Sequence, residues 1–347
     1  VSAMLTDRLA ATAIDLAEAG RLPDAVVSAG IRGLLGSRLR SLEGTPPRSS
    51  VAAIPEDTIA VATDAANRQH YEVPAAFFRL VLGRHLKYSC GLWAGAASLD
   101  EAEERMLALT LERAAIGPEH RVLDLGCGWG SFSLYAAAAR PKCRFLAVSN
   151  SRSQIEFIRR TTQKRNLFNL EARLADVNEF RPEARFDRIV SIEMMEHVRN
   201  HAELMRRVAS WLEDDGQLFI HVFCHRTHAY PFEADGPADW MAREFFTGGI
   251  MPSIDTIPAA ANGALETEAT WTVDGREYAR TADAWLRNLD ARRAEVRAAL
   301  AGAGAVDPEL ALQRWRLFFL AVREAFGFRG GTEWMVGHYR FQPTGKV

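Results

Sequence analysis

The stretch "VLDLGCGWGSF" (residues 122–132) decides how this chain is read. An apolar run carries an aspartate, glycines follow at 126, 128 and 130, and a helix-forming segment begins at Ser131. That order predicts a strand, a tight turn and a helix start. In open parallel sheets such turns sit at the strand carboxyl ends, where ligands bind. Gly126, Gly128 and Gly130 do not keep the G-x-G-x-x-G spacing of dinucleotide sites.

Asp124 sharpens the reading. A carboxylate two residues before the first glycine would repel a pyrophosphate and attract a ligand with an ammonium group. S-adenosylmethionine carries such a group on its methionine end, so Asp124 and the three glycines are expected to hold that cofactor rather than NAD.

Outward from this turn, apolar stretches at 121–125, 143–148, 170–174, 186–192 and 217–223 alternate with helical ones around 131–140, 151–166 and 199–213. A mixed strand at 265–273, helices at 279–302 and 308–326 and a terminal strand at 333–342 follow. The pattern predicts an α/β fold, a doubly wound, mostly parallel, seven-stranded Rossmann-like sheet. Residues 1–66 read as an N-terminal helical cap and 67–342 as the main domain. "EGTPPRSS" (43–50) is linker-like, and 224–262, rich in Gly, Pro, His and aromatics, reads as an insertion over the active edge. The cap contains a basic amphipathic helix, for which packing on the main domain is the favoured reading and membrane contact the other.

Lys+Arg at 42 against Asp+Glu at 44 gives a net charge of −2, which offers no electrostatic case for nucleic acid. No apolar run is long enough to span a bilayer, and the first twenty residues lack the apolar core of a signal peptide. Four scattered cysteines suit a reducing cytoplasm. A monomer and a homodimer are equally compatible with the sequence.

Past the second strand, Ser149, Asn150 and Gln154 are placed to bond a ribose, although no acid stands there. Past the third, Asp176 and Val177 fall where an adenine edge would arrive, and serve equally well as turn residues. Past the fourth comes "SIEMMEH" (191–197), with Glu193, Glu196 and His197 within five residues. Acids there would favour a helix start. Beside a cofactor turn they read instead as a cation-binding, proton-accepting turn. His221, Cys224, His225 and His228 in "HVFCHRTH" invite a zinc reading, but His221 and Cys224 would face opposite sides of a strand, so no metal is expected.

"VLDLGCGWGSF", "YSCGLW" (88–93), "SIEMMEH" and "LFIHVFCHR" (218–226) together resemble the cyclopropane fatty acid synthase superfamily of methyltransferases. "DWMAREFFTGGIMPS" (239–253) and "GGTEWMVGHYRF" (330–341) are most similar to its coclaurine-type amine N-methyltransferases and their bacterial relatives. The resemblance implies S-adenosylmethionine as cofactor, touched also by Tyr88 and Ser89, and a small amine as substrate. It implies Glu193, Glu196 and His197 as catalytic groups and Phe326 and Trp334 as pocket walls. In the cyclopropane-forming members bicarbonate is the base, and its site would match Cys90, Glu196, His221 and Tyr278, with Phe223 where an isoleucine is usual. That is the alternative reading, an enzyme acting on unsaturated lipid at a membrane surface.

Overall fold

A computed structural model describes residues 2–46, 58–60, 73–236 and 239–344. Five strands run parallel: β1 Arg121–Leu125, β2 Arg144–Ser149, β3 Leu170–Leu174, β4 Phe186–Ile192 and β5 Leu212–His225. A two-stranded ribbon, β6 Tyr230–Pro231 and β7 Ile250–Met251, lies apart. β8 Leu265–Val273 and β9 Trp334–Pro343 complete the main sheet in the order β3-β2-β1-β4-β5-β9-β8, with β9 antiparallel to both neighbours. Val122, Leu123 and Leu125 of β1 are all buried, the mark of a central strand covered on both faces.

The helices are α1 Ser2–Glu18, α2 Asp24–Leu42, α3 Ala75–Val81, α4 Leu99–Arg113, α5 Ser131–Ala139, α6 Arg152–Arg165, α7 His201–Trp211, α8 Trp240–Glu244, α9 Thr256–Ala261, α10 Gly275–Ala291, α11 Arg293–Gly302 and α12 Pro308–Gly327. Their starts are written locally. Ser151, Asn200, Asp274 and Asp307 each accept from a backbone N–H of the first turn.

The largest departures from the sequence reading concern β5 and α10, the latter starting at Gly275 rather than 279. β5 begins at Leu212 rather than 217, because the polar "EDDG" stretch is carried in the strand through an irregular pairing with β4 between Phe186 and Arg188. The expected helix over 279–302 breaks at Arg292, whose guanidinium bonds the Leu80 carbonyl. The break turns Val296 and Leu300 back into the core.

The N-terminal helices pack on α12. Arg316 bonds Asp24 and Asp290, Arg314 bonds Glu18, and Arg32 bonds Glu324. Of the linker-like 43–50, residues 47–50 lie outside the described residues, as do 51–57 and 61–66 of the cap region and 67–72 of the main domain. The insertion returns to the sheet where His225 N–H donates to Pro252 O at 2.8 Å. Among the described residues, no helix is long and apolar enough to cross a membrane.

Candidate active site

The glycine turn and the turn after β4 are built against each other. Gly126 has φ +81°, and a side chain there would come within 2.8 Å of Met194. Gly130 caps α5 at φ +76°, and its missing Cβ leaves room for Ile158 at 2.7 Å. Only glycine meets both demands. Between them, Gly128 opens onto space, with no atom within 4 Å of a built Cβ.

The resulting cleft is lined by Gly126, Gly128, Ser149, Asn150, Gln154 and Val177, with Glu193, Met194 and His197 along the adjoining wall. Ser149 Oγ donates to Gln154 Oε1 at 2.7 Å, and the Gln154 amide nitrogen has no partner among the described residues. A buried, unbonded donor in a cleft roofed by a bare glycine is the arrangement a hydroxyl-rich ligand would satisfy.

Asp124 is placed differently from the expectation. It lies beneath the turn, fully buried, with its carboxylate accepting from the Ser133 hydroxyl in the first turn of α5. Burial pushes its pKa up to about 7. Its visible work is to tie strand to helix under the loop, and it does not line the cleft. Asp176 does not line it either, and accepts from the Asn178 N–H at 2.7 Å as a turn residue. Tyr88 sits in an aromatic cluster with Phe78, Trp285 and Trp315, and Ser89 is buried beside Lys87.

"SIEMMEH" leaves β4 sharply. Glu193 adopts φ +45°, a left-handed conformation that costs a non-glycine residue about 1–2 kcal/mol, and its N–H donates to His221 O at 2.8 Å. The turn aims its side chain at a ring of donors. Tyr278 hydroxyl donates to Oε2 at 2.5 Å, while Cys90 N–H donates to Oε1 at 3.2 Å and His221 Nε2 lies 3.3 Å from that same oxygen. The Lys87 ammonium, wholly buried, bonds Cys90 O at 2.8 Å and adds its charge nearby. Burial nevertheless raises the Glu193 carboxyl, against Lys87 and the donors.

Glu196 follows in a single 3-10 turn, Met195–His197. It is 3% exposed, and its Oε2 has no partner among the described residues. Burial, and then the neighbouring Glu193, hold its carboxyl well above the usual range. His197 is lowered to about 4 by burial, with Glu193 opposing, so it is neutral at pH 7. Its ring stacks on Phe246 at 6.0 Å, and Phe246 stacks on Phe232 at 4.9 Å.

Phe223 stands 5.8 Å from Phe246 and 6.1 Å from Phe326, and Phe326 lies 4.5 Å from Tyr278. These rings form an aromatic wall beside the carboxylates. Trp334 stands further along the wall, its Nε1 donating to the Tyr230 hydroxyl at 2.9 Å. His225 and His228 are engaged with Trp334 and Thr45 respectively, and no described group of three or more His, Cys, Asp or Glu residues is placed to hold a metal.

Residues 60–331 match the mycolic acid cyclopropane synthetase family. The chain belongs to that family. Within it, the chain is similar to (S)-coclaurine N-methyltransferase of Thalictrum flavum subsp. glaucum, 35% identical over 341 residues, covering 94% of this chain and 93% of that one. It is also similar to the cyclopropane-fatty-acyl-phospholipid synthase of Escherichia coli strain K12, 27% identical over 232 residues, 66% of this chain and 57% of that one. A crystal structure of coclaurine N-methyltransferase bound to N-methylheliamine and SAH superimposes with a TM-score of 0.87 at 32% identity, covering 95% of this chain and 99% of that one.

The family motifs pointed to Glu193, Glu196, His197, Cys90, His221 and Tyr278, and these stand together. They did not point to Lys87, Phe232, Phe246, Arg113 or His338. Phe246 and His338 had a signal, since they lie in the quoted stretches 239–253 and 330–341.

Proposed function

We propose that this S-adenosylmethionine-dependent methyltransferase N-methylates a small, aromatic-bearing amine. The observation that carries the choice of acceptor is the occupancy of the donor ring. Tyr278, His221 and the Cys90 segment, which the resemblance would assign to bicarbonate, are all spent on the carboxylate of Glu193. The chain supplies its own fixed anion where the cyclopropane chemistry would need a free one, and a fixed anion beside aromatic rings suits a cationic substrate.

The cleft residues fit the cofactor. Gln154 and Ser149 would bond ribose hydroxyls, Val177 would flank the adenine, and the bare backbone at Gly128 would let the methionyl part approach. When bound, S-adenosylmethionine supplies an electrophilic methyl on sulfur.

The chain's residues prepare the other reactant. An alkylamine with a pKa near 10.4 is neutral in only about one molecule in 2,500 at pH 7, a deficit of about 4.6 kcal/mol. Lys87 and three donors favour the charged form of Glu193 against the upward push of burial, and the arriving ammonium adds to them, so the pair binds as carboxylate and ammonium. The arriving positive charge lowers the Glu196 carboxyl, which gives its own proton up to bulk water; the resulting carboxylate then takes the ammonium proton, and neutral His197 stands beside it as a further acceptor. Phe246, Phe232, Phe223 and Phe326 exclude water and face the nitrogen, worth about 0.5–2 kcal/mol for a cation over a ring.

The test is competitive. Purified protein is given labelled methyl donor, a panel of secondary and aromatic-bearing amines, and vesicles of unsaturated phospholipid. Label is expected in an amine, with SAH formed in equal amount. Label confined to lipid would reverse the assignment.

A further inference from the structure

Behind Glu193, beyond its donor His221, runs a line of groups that the chemistry above does not use. His221 on β5 and His338 on β9 are directly paired in the antiparallel register. His338 Nε2 lies 2.8 Å from His221 Nδ1, and an Arg113 Nη lies 2.7 Å from His338 Nδ1. Both imidazoles are fully buried. Arg113 ends α4 with its guanidinium 4.9 Å from the Trp271 ring centroid, and its backbone carbonyl accepts from Arg340.

A guanidinium has only donors. Arg113 therefore requires a lone pair on His338 Nδ1, which puts the His338 proton on Nε2. That N–H donates to His221 Nδ1, which in turn puts the His221 proton on Nε2, facing Glu193 Oε1 at 3.3 Å. We propose that Arg113 and His338 are positioning residues that fix His221 in its Nε2–H tautomer and so keep Glu193 supplied with a donor.

The surroundings support neutral rings. Burial, then Lys87 and Arg113, hold His221 well below its ordinary range, and burial, then His221, Arg113 and Lys87, do the same for His338. The groups facing this line are Lys87 and Cys90 from the segment after α3, Arg113 from α4, Glu193, Glu196 and His197 from the turn after β4, and Tyr278 from α10. A donor held on the charged form of Glu193 favours its ionisation. Without Arg113 the two imidazoles are free to reverse. His221 then presents a lone pair to Glu193, and the carboxyl keeps its proton to higher pH.

The tautomers stand on geometry alone, whereas their effect on turnover rests on the amine reading above. The experiment separates the two. In 15N-labelled protein, long-range proton–nitrogen correlations of the imidazoles are expected to show His221 and His338 both protonated on Nε2 only. Arg113→Lys keeps a donor-only partner and His338→Gln keeps an acceptor and a donor, so both should preserve the His221 tautomer. Arg113→Met and His338→Phe should lose it and move the acid limb of kcat/KM upward by about one pH unit, a roughly tenfold loss below the limb, with activity recovering at alkaline pH.

His221 found protonated on Nδ1 in the parent protein would overturn the proposal. So would Met and Phe variants whose spectra and acid limbs match the parent. If either variant fails to fold, the parent spectrum together with the Lys and Gln variants decides. Correct tautomers with no amine turned over would count against the function and leave this inference standing.

Discussion

The Tyr278 hydroxyl donates to Glu193 Oε2 at 2.5 Å, joining α10 to the turn after β4 across 85 residues of sequence. This bond is the shortest of those that hold the Glu193 carboxylate. Tyr278→Phe removes it while keeping the ring against Phe326. A hydrogen bond to a charged group contributes about 1.5–3 kcal/mol, so kcat/KM at pH 7 should fall roughly ten- to a hundredfold. The loss should shrink as pH rises. A pH profile that falls uniformly at every pH would contradict the assignment.

Glu193→Gly makes a more specific prediction. Glycine accepts φ +45° without strain, so the fold should survive. Removal of the carboxylate frees Tyr278, His221 and the Cys90 N–H around an empty, carboxylate-sized space. Bicarbonate or formate should therefore bind the variant and not the parent, measured by calorimetry, while amine methylation is lost. Equal anion binding by both proteins would show that Glu193 does not fill that ring.

Glu196→Gln should lower kcat by about a hundredfold or more, the contribution of a general base, and leave SAH affinity unchanged within about twofold, because Glu196 does not line the glycine cleft. Unaltered turnover would remove Glu196 as the base.

Stability should peak near neutrality. Burial raises Glu103 and Asp124 to about 7, from 4.5 and 3.8, and raises Glu193 and Glu196 as well. For Glu103, Asp124 and Glu193 that contribution is complete below the unfolded values and is lost as pH climbs through about 7. His197, His201 and His225 are lowered to about 4 from 6.5, and His221 and His338 further. Their contribution is complete above 6.5 and is lost as pH falls toward 4. The two trends cross at about pH 6.5, where scanning calorimetry of the ligand-free protein should find its highest Tm. A Tm still rising at pH 8.5 would contradict these shifts.

The parallel sheet was legible because its strands are short, mostly apolar stretches alternating with helical ones, as at 121–125 and 186–192. The start of β5 was not, since "EDDG" has the composition of a turn, and the break at Arg292 was not, since the helical pattern runs through it. "SIEMMEH" suggested proton chemistry only because its acids and histidine stand beside a cofactor turn; residue type alone would have favoured a helix start. Its link to His338 was not legible, because His338 reaches His221 only through an antiparallel register 117 residues distant, and no local pattern records that pairing. Asp124 marked the right turn for a reason the structure modifies: its charge lies under the loop against Ser133 rather than in the cleft.

The methyl group is expected to land on nitrogen. Transfer from a 13C-methyl donor to a 15N-labelled cyclic amine, followed by NMR of the product, distinguishes nitrogen from carbon as the acceptor. A one-bond carbon–nitrogen coupling in the product, with SAH released in equal amount, is the predicted result. A 13C label bonded only to carbon, in the acyl chains of added unsaturated phospholipid, would contradict it.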